Sequence, residues 1–133
     1  MNRVSLLLCA ASAMFTFAAC HAENPRLTPA EAARRLASGE AVLIDVREPD
    51  EWRETGIVAG ATPLALSDLR GARTTWRPFL AAHKDRELIL YCRSGNRSGQ
   101  AARLLAAEGY RTANAGGLRD WSAAGQTIRH YGE

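Results

Sequence analysis

The sequence predicts an α/β fold: a mainly parallel central sheet of about five short strands with helices on both faces. Three observations predict it. The short apolar runs at Ala41–Asp45 and at residues 87–91 have the length and composition of buried strands. Helix start and stop signals fall between such runs, and strands that alternate with helices pair in parallel. Cys92 directly follows the clearest strand and precedes the clearest helix, which is where open α/β sheets place their ligand sites.

Taken in chain order, Thr28-Pro29-Ala30-Glu31 is a capping box with proline at the first helical position. It predicts a helix to Ala37, stopped by Gly39. Ala41–Asp45 follows as a buried strand. Residues 49–54 suit a short helix closed by Gly56, and residues 62–66 read as a second short strand. Residues 75–83 read as a helix with Pro78 in its first turn. Residues 87–91, Glu-Leu-Ile-Leu-Tyr, form the clearest strand. Residues 98–108 form the clearest helix, with Ala101, Ala102, Leu104, Leu105 and Ala106 for packing and Gly109 as the cap. Residues 110–113 return as a strand, residues 118–124 form a last short helix, and the tail to Glu133 is polar.

The chain has 133 residues, a length suited to one domain, with 47% hydrophobic and 23% charged residues. That is ordinary globular usage and excludes an intrinsically disordered chain. The 17 basic residues nearly balance the 14 acidic ones, and all but Lys84 are arginine. This balance argues against a nucleic-acid binder. Three cysteines are too few for a disulfide-built miniprotein.

Residues 1–22 read as an export signal, with Arg3 as the positive start and residues 4–19 apolar and uncharged. Cys20-His21-Ala22 fits a cleavage site that leaves Glu23 as the mature start. Phe17-Ala18-Ala19-Cys20 resembles a bacterial lipobox, which would end the signal at residue 19 and make Cys20 a lipidated membrane anchor. Both endings stay open, and both place the protein in the periplasm or otherwise outside a bacterial cytoplasm. Either way, residues 23–133 form the single domain, and Cys92 is its one free thiol.

The chemistry concentrates in residues 91–98: Tyr-Cys-Arg-Ser-Gly-Asn-Arg-Ser. Backbone N–H groups in a tight loop form an anion-binding nest, and the following helix adds the positive end of its dipole. Gly95 permits backbone conformations that other residues resist. Arg93 and Arg97 add permanent charge. These influences favour a thiolate at Cys92 and an anionic substrate. His21, His83 and His130 are scattered, so no metal site is expected, and no nucleotide-type glycine motif calls for a cofactor. Gly116-Gly117 reads as a turn. Trp52, Trp76 and Trp121 read as core or rim packing.

Four stretches together resemble a single-domain rhodanese, a thiosulfate sulfurtransferase-type protein. They are Leu43-Ile44-Asp45-Val46-Arg47-Glu48-Pro49 with Glu51-Trp52, then Gly56-Ile57-Val58-Ala59-Gly60-Ala61, then the Cys92 loop with Ser98-Gly99-Gln100-Ala101-Ala102, and Asn114-Ala115-Gly116-Gly117-Leu118 with Trp121. The Cys92 loop and the Asn-Ala-Gly-Gly-Leu run also resemble the exported rhodaneses of the phage-shock type. Two positions depart from the family pattern: Ile57 stands for its histidine and Ala59 for its proline. The spacing from Cys92 to Arg97 is Cys-x4-Arg, one residue shorter than the Cys-x5-Arg cradle of cysteine phosphatases. This disfavours phosphatase or arsenate reductase chemistry.

The resemblance implies that Cys92 is the nucleophile. It further implies that Arg93, Ser94, Gly95, Asn96, Arg97 and Ser98 bind substrate, that Arg47 lies near the pocket, and that Asp45 supports the loops. For Asp45 and Arg47 a solvated strand-end pair is the competing reading. Cys92 would take a sulfane sulfur from thiosulfate or a similar anionic donor as a persulfide and pass it to cyanide or a thiol. A persulfide carrier for a protein donor or acceptor, and a single-thiol redox sensor, use the same thiolate and stay open.

Overall fold

A computed structural model describes residues 24–132. The expected export signal, with His21, lies outside the described residues, as does Glu133. The chain builds a four-stranded, fully parallel sheet in the order β3-β1-β4-β5, from β1 (Ala41–Asp45), β3 (Thr62–Pro63), β4 (Glu87–Cys92) and β5 (Thr112–Gly117). A separate antiparallel ribbon pairs β2 (Ile57–Val58) with β6 (Ile128–Arg129).

The pleat sorts β4 between two cores. Leu88, Leu90 and Cys92 face one side, and Ile89 and Tyr91 the other, as period-two alternation requires. The first side is covered by α3 (Leu66–Arg70), α4 (Trp76–Ala82) and α5 (Asn96–Ala107), through Leu69, Trp76, Ala101 and Leu105. The second is covered by α1 (Pro29–Ala37) and α6 (Leu118–Ala123), through Ala32 and Trp121. Both faces of the sheet are therefore dry, which explains why its strands read as continuous apolar runs. The Thr28 capping box forms as expected, with Glu31 N–H donating to Thr28 Oγ1 at 3.2 Å.

Several expectations shift for identifiable reasons. The central sheet has four strands rather than about five. The fifth position, at the outer edge of β5, holds only one bridge, Arg26 to Asn114. The strand expected over residues 62–66 stops at Pro63, and Leu66 opens α3 instead. There Ala65 and Leu66 turn inward, and Trp76 Nε1 donates to the Ala65 carbonyl at 2.9 Å. The last parallel strand starts at Thr112 rather than at residue 110, because Tyr110 N–H still closes the end of α5 on the Leu105 carbonyl. The helix expected from Ser98 begins earlier, at Asn96. The polar tail contains β6, which lies so close to Gly56 that a Cβ there would meet the Arg129 carbonyl at 2.5 Å.

The departure at Ile57 also finds its place. Ile57 is fully buried on β2 and packs with Trp52, which joins α2 (Pro49–Thr55) to this ribbon. An apolar side chain suits that position better than an imidazole would.

Candidate active site

β4 delivers Cys92 to the C-terminal edge of the sheet, and only Arg93, Ser94 and Gly95 separate it from α5. Gly95 allows so short a turn. It sits in the left-handed region, at φ +94°, and its carbonyl accepts the N–H of Gly99 as the helix starts. The same turn points Gly95 N–H at the sulfur, 3.0 Å from Cys92 Sγ. Ser98, on the first turn of α5, places its hydroxyl 3.4 Å from Sγ.

Cys92 has no exposed surface. Burial is the largest single influence on its thiol and pushes the pKa up. Hydrogen bonds from the Ser98 hydroxyl and from the N–H groups of Ser98, Ser94 and Gly95 outweigh it, so the thiol is held below its ordinary value. Thiolate character here comes chiefly from Ser98 on the first turn of α5, joined by the Ser94 and Gly95 N–H groups of the loop.

The loop rests on β5. A bulge separates the Leu90–Asn114 pair from the Cys92–Gly117 pair, and such bulges re-aim side chains. Asn114 Nδ2 donates to the Gly95 carbonyl at 2.8 Å. Asn114 Oδ1 accepts the Ser98 hydroxyl at 2.8 Å and Gly116 N–H at 3.1 Å. Gly117 is a member of β5 rather than of a turn, and any Cβ there would collide with the Arg93 carbonyl. A glycine is needed because the loop lies directly against the strand.

The arginines have different fates. Arg97 forms a two-pronged pair with Glu51 of α2, at 2.6 and 2.7 Å. That pairing, against some burial, holds the Glu51 carboxyl down at about 2. Arg97 remains within electrostatic reach of Cys92. Arg47 is buried, and its guanidinium is occupied: Nε and Nη2 donate to Asp45, Nη2 also to the Gly56 carbonyl at 2.6 Å, and Nη1 to Thr55 Oγ1 at 2.7 Å. Asp45 is fully buried and also accepts Arg47 N–H at 2.9 Å. Arg93, Ser94 and Asn96 are exposed on the rim. The loop thus gathers Gly95 and Ser98 at the sulfur, whereas the Asp45–Arg47 pair locks the neighbouring strand end.

Beside the loop lies a cavity of about 300 Å³, lined by Arg93, Arg119, Leu118 and Glu54 and, as expected of its place near the pocket, by Arg47 with Glu51. Neither Arg93 nor Arg119 pairs with a carboxylate among the described residues. Arg26, from the segment before α1, sits behind the loop, where a side chain on Gly95 would meet its Nη1 at 3.0 Å. Sequence reasoning assigned no site role to Asn114, Arg26 or Arg119. The signal for Asn114 was present: a polar amide ahead of two glycines, after a strand, in a stretch already singled out.

The rhodanese-like domain family matches residues 28–124. The chain is 39% identical to a sulfurtransferase of Allochromatium vinosum over 98 residues, which is 71% of this chain and 85% of that one. It is 36% identical to the thiosulfate sulfurtransferase PspE of Escherichia coli over 78 residues, 58% of this chain and 70% of that one. Among solved structures, the human single-domain sulfurtransferase superposes with a TM-score of 0.61 at 31% identity, covering 76% of this chain and 97% of that one. With a sulfur cradle at the end of β4 and a family match spanning most of its length, the chain belongs to the rhodanese-like family.

Proposed function

We propose that the protein is a sulfurtransferase that moves a sulfane sulfur from thiosulfate, or a similar anionic donor, through Cys92 to a thiol or cyanide. The observation that carries this reading is the set of hydrogen-bond donors on Cys92 Sγ, led by Gly95 N–H at 3.0 Å. The Cys92 thiolate attacks the outer sulfur of the donor. The donor's S–S bond breaks, and sulfite leaves with the bonding pair. The donors that stabilised the thiolate then face the anionic persulfide. An acceptor thiolate or cyanide attacks the outer sulfur, and Cys92 leaves as thiolate. No oxidant or reductant is consumed.

Arg93 and Arg119 draw the anionic donor to the cavity mouth. Cys92 has no exposed surface, so the donor reaches it only when the site opens. Cys92 is the only cysteine within residues 24–132, so the domain holds no resolving thiol, which favours transfer over a disulfide-based sensor. Export through residues 1–22 belongs to the same proposal, and the N-terminal mass of the protein secreted by a bacterial host distinguishes release at Glu23 from lipidation at Cys20.

The test is intact mass after incubation with thiosulfate, beside Cys92→Ser. A gain of one sulfur, removed by cyanide and absent in the variant, supports the proposal. No gain, with Cys92 still open to alkylation, would sink transfer from thiosulfate and turn attention to a protein donor.

A further inference from the structure

We infer that Asn114 is a positioning residue for Cys92: its side-chain amide holds in place both the Gly95 turn and the Ser98 hydroxyl, two of the groups that donate to the sulfur. The inference rests on Cys92 being the reactive group. It concerns the thiol's ionisation rather than the fate of its sulfur.

The amide can face only one way. Nδ2 meets the Gly95 carbonyl at 2.8 Å, and Oδ1 meets Gly116 N–H at 3.1 Å. Turned over, it would set donor against donor and oxygen against oxygen. Oδ1 is therefore always offered to Ser98, at 2.8 Å. The Gly95 contact fixes the left-handed turn whose N–H reaches Sγ.

The sheet does not need this side chain. Asn114 is held in β5 by its own backbone, its N–H donating to the Pro25 carbonyl at 2.9 Å and its carbonyl accepting Leu27 N–H at 2.8 Å. Asparagine is a poor strand residue and costly to bury, yet here it is nearly enclosed. Its amide is spent on the loop. Ser98 has a single proton and two acceptors within reach, Asn114 Oδ1 and Cys92 Sγ. As the thiol ionises, the hydroxyl turns to the thiolate from a fixed oxygen position, while Oδ1 keeps Gly116 N–H.

The charged groups around the cradle include Arg97 with Glu51, Arg26 beside Gly95, Arg93 on the rim, Arg103, whose Nη1 lies beside Gly99 next to the Asn114 amide, and Asp120, whose carboxylate accepts Gly117 N–H at 2.9 Å. None of them is substituted in the variants.

The experiment titrates the ultraviolet absorbance of the thiolate, each protein being read against its own Cys92→Ser counterpart. Asn114→Ala is expected to raise the midpoint by about one pH unit, a tenfold loss of thiolate at fixed pH below it. Asn114→Asp is expected to raise it further, because it loses the donor to Gly95 and adds a negative charge. An unchanged midpoint for Asn114→Ala would mean that the amide only fills space, and a lowered one that it merely competes for the Ser98 proton. Either result overturns the inference. Should the variants fail to fold, the unmodified protein still decides: the Gly95 and Asn114 side-chain amide resonances must titrate with Cys92, and silence of the Asn114 amide would refute its role. A raised midpoint together with no persulfide from thiosulfate would leave the positioning role standing and reject the sulfur-transfer reading alone.

Discussion

The ends of β1 and β4 lie side by side, with Asp45 in register with Tyr91, and they are built in opposite ways. The β1 end is closed by charge. Asp45 and Arg47 are both buried and satisfy one another, and Arg47 spends its remaining N–H groups on Thr55, Gly56 and Glu51. The β4 end carries no internal ion pair in its turn and presents N–H groups to a sulfur. The difference teaches that an arginine next to a site is not thereby an anion binder. What matters is whether its donors are still free, and at the β1 end they are not.

Removing the sulfur nucleophile is the strongest test of the contrast. Cys92→Ser is expected to abolish transfer from thiosulfate to cyanide, down to the uncatalysed background, with little change in melting temperature. Residual transfer well above background would move the chemistry away from the β4 end altogether.

Breaking the β1 lock should act on stability first. Arg47→Met leaves the buried Asp45 carboxylate without its partner, which costs about 3–5 kcal/mol in denaturant unfolding. Arg47→Lys should recover only part of this, because an ammonium cannot serve Asp45, Thr55 and Gly56 together. If Arg47→Met folded almost as stably as the parent and instead raised KM for thiosulfate sharply, the comparison would be reversed and Arg47 would be a binding residue.

The elements legible in the sequence were those with local causes. The Thr28 capping box set α1, and the apolar runs set β1 and β4. The elements missed depend on distant partners. β2 and β6 are two residues each and exist only because residues 57–58 meet residues 128–129 across the chain. The early start of α5 turns on one glycine carbonyl and a side chain 19 residues away, Asn114, which braces it. At the site, the place of Cys92 at a strand end followed from pattern alone. The commitments of Arg47 and Arg97 did not, since a sequence shows charges but not their partners.

The free arginines give a smaller, kinetic prediction. Arg93→Gln, with or without Arg119→Gln, is expected to raise KM for thiosulfate roughly threefold to tenfold while leaving kcat nearly unchanged, and to weaken the dependence of kcat/KM on salt. A fall in kcat at constant KM would place Arg93 at the transition state instead of the cavity mouth.

The smallest effect belongs to Glu51 and Arg97, the same kind of pair as Asp45–Arg47 but about a third exposed, at 28% and 31%. Water shares their charges, so Glu51→Gln should cost only about 0.3–1 kcal/mol near neutral pH. The pH dependence has a definite sign. The pair with Arg97 lowers the Glu51 pKa from 4.5 to about 2, so its contribution is fully present above 4.5 and is lost as the pH falls toward 2. The stability difference between parent and variant should therefore shrink across that acid window and vanish at its lower end. The variant also releases Arg97, which lies within electrostatic reach of Cys92, so KM for thiosulfate should fall slightly even as stability drops. A lower KM together with lower stability would show that one carboxylate keeps Arg97 in a structural pair and away from substrate. A rise in KM would mean that Glu51 serves the site by holding Arg97 in position.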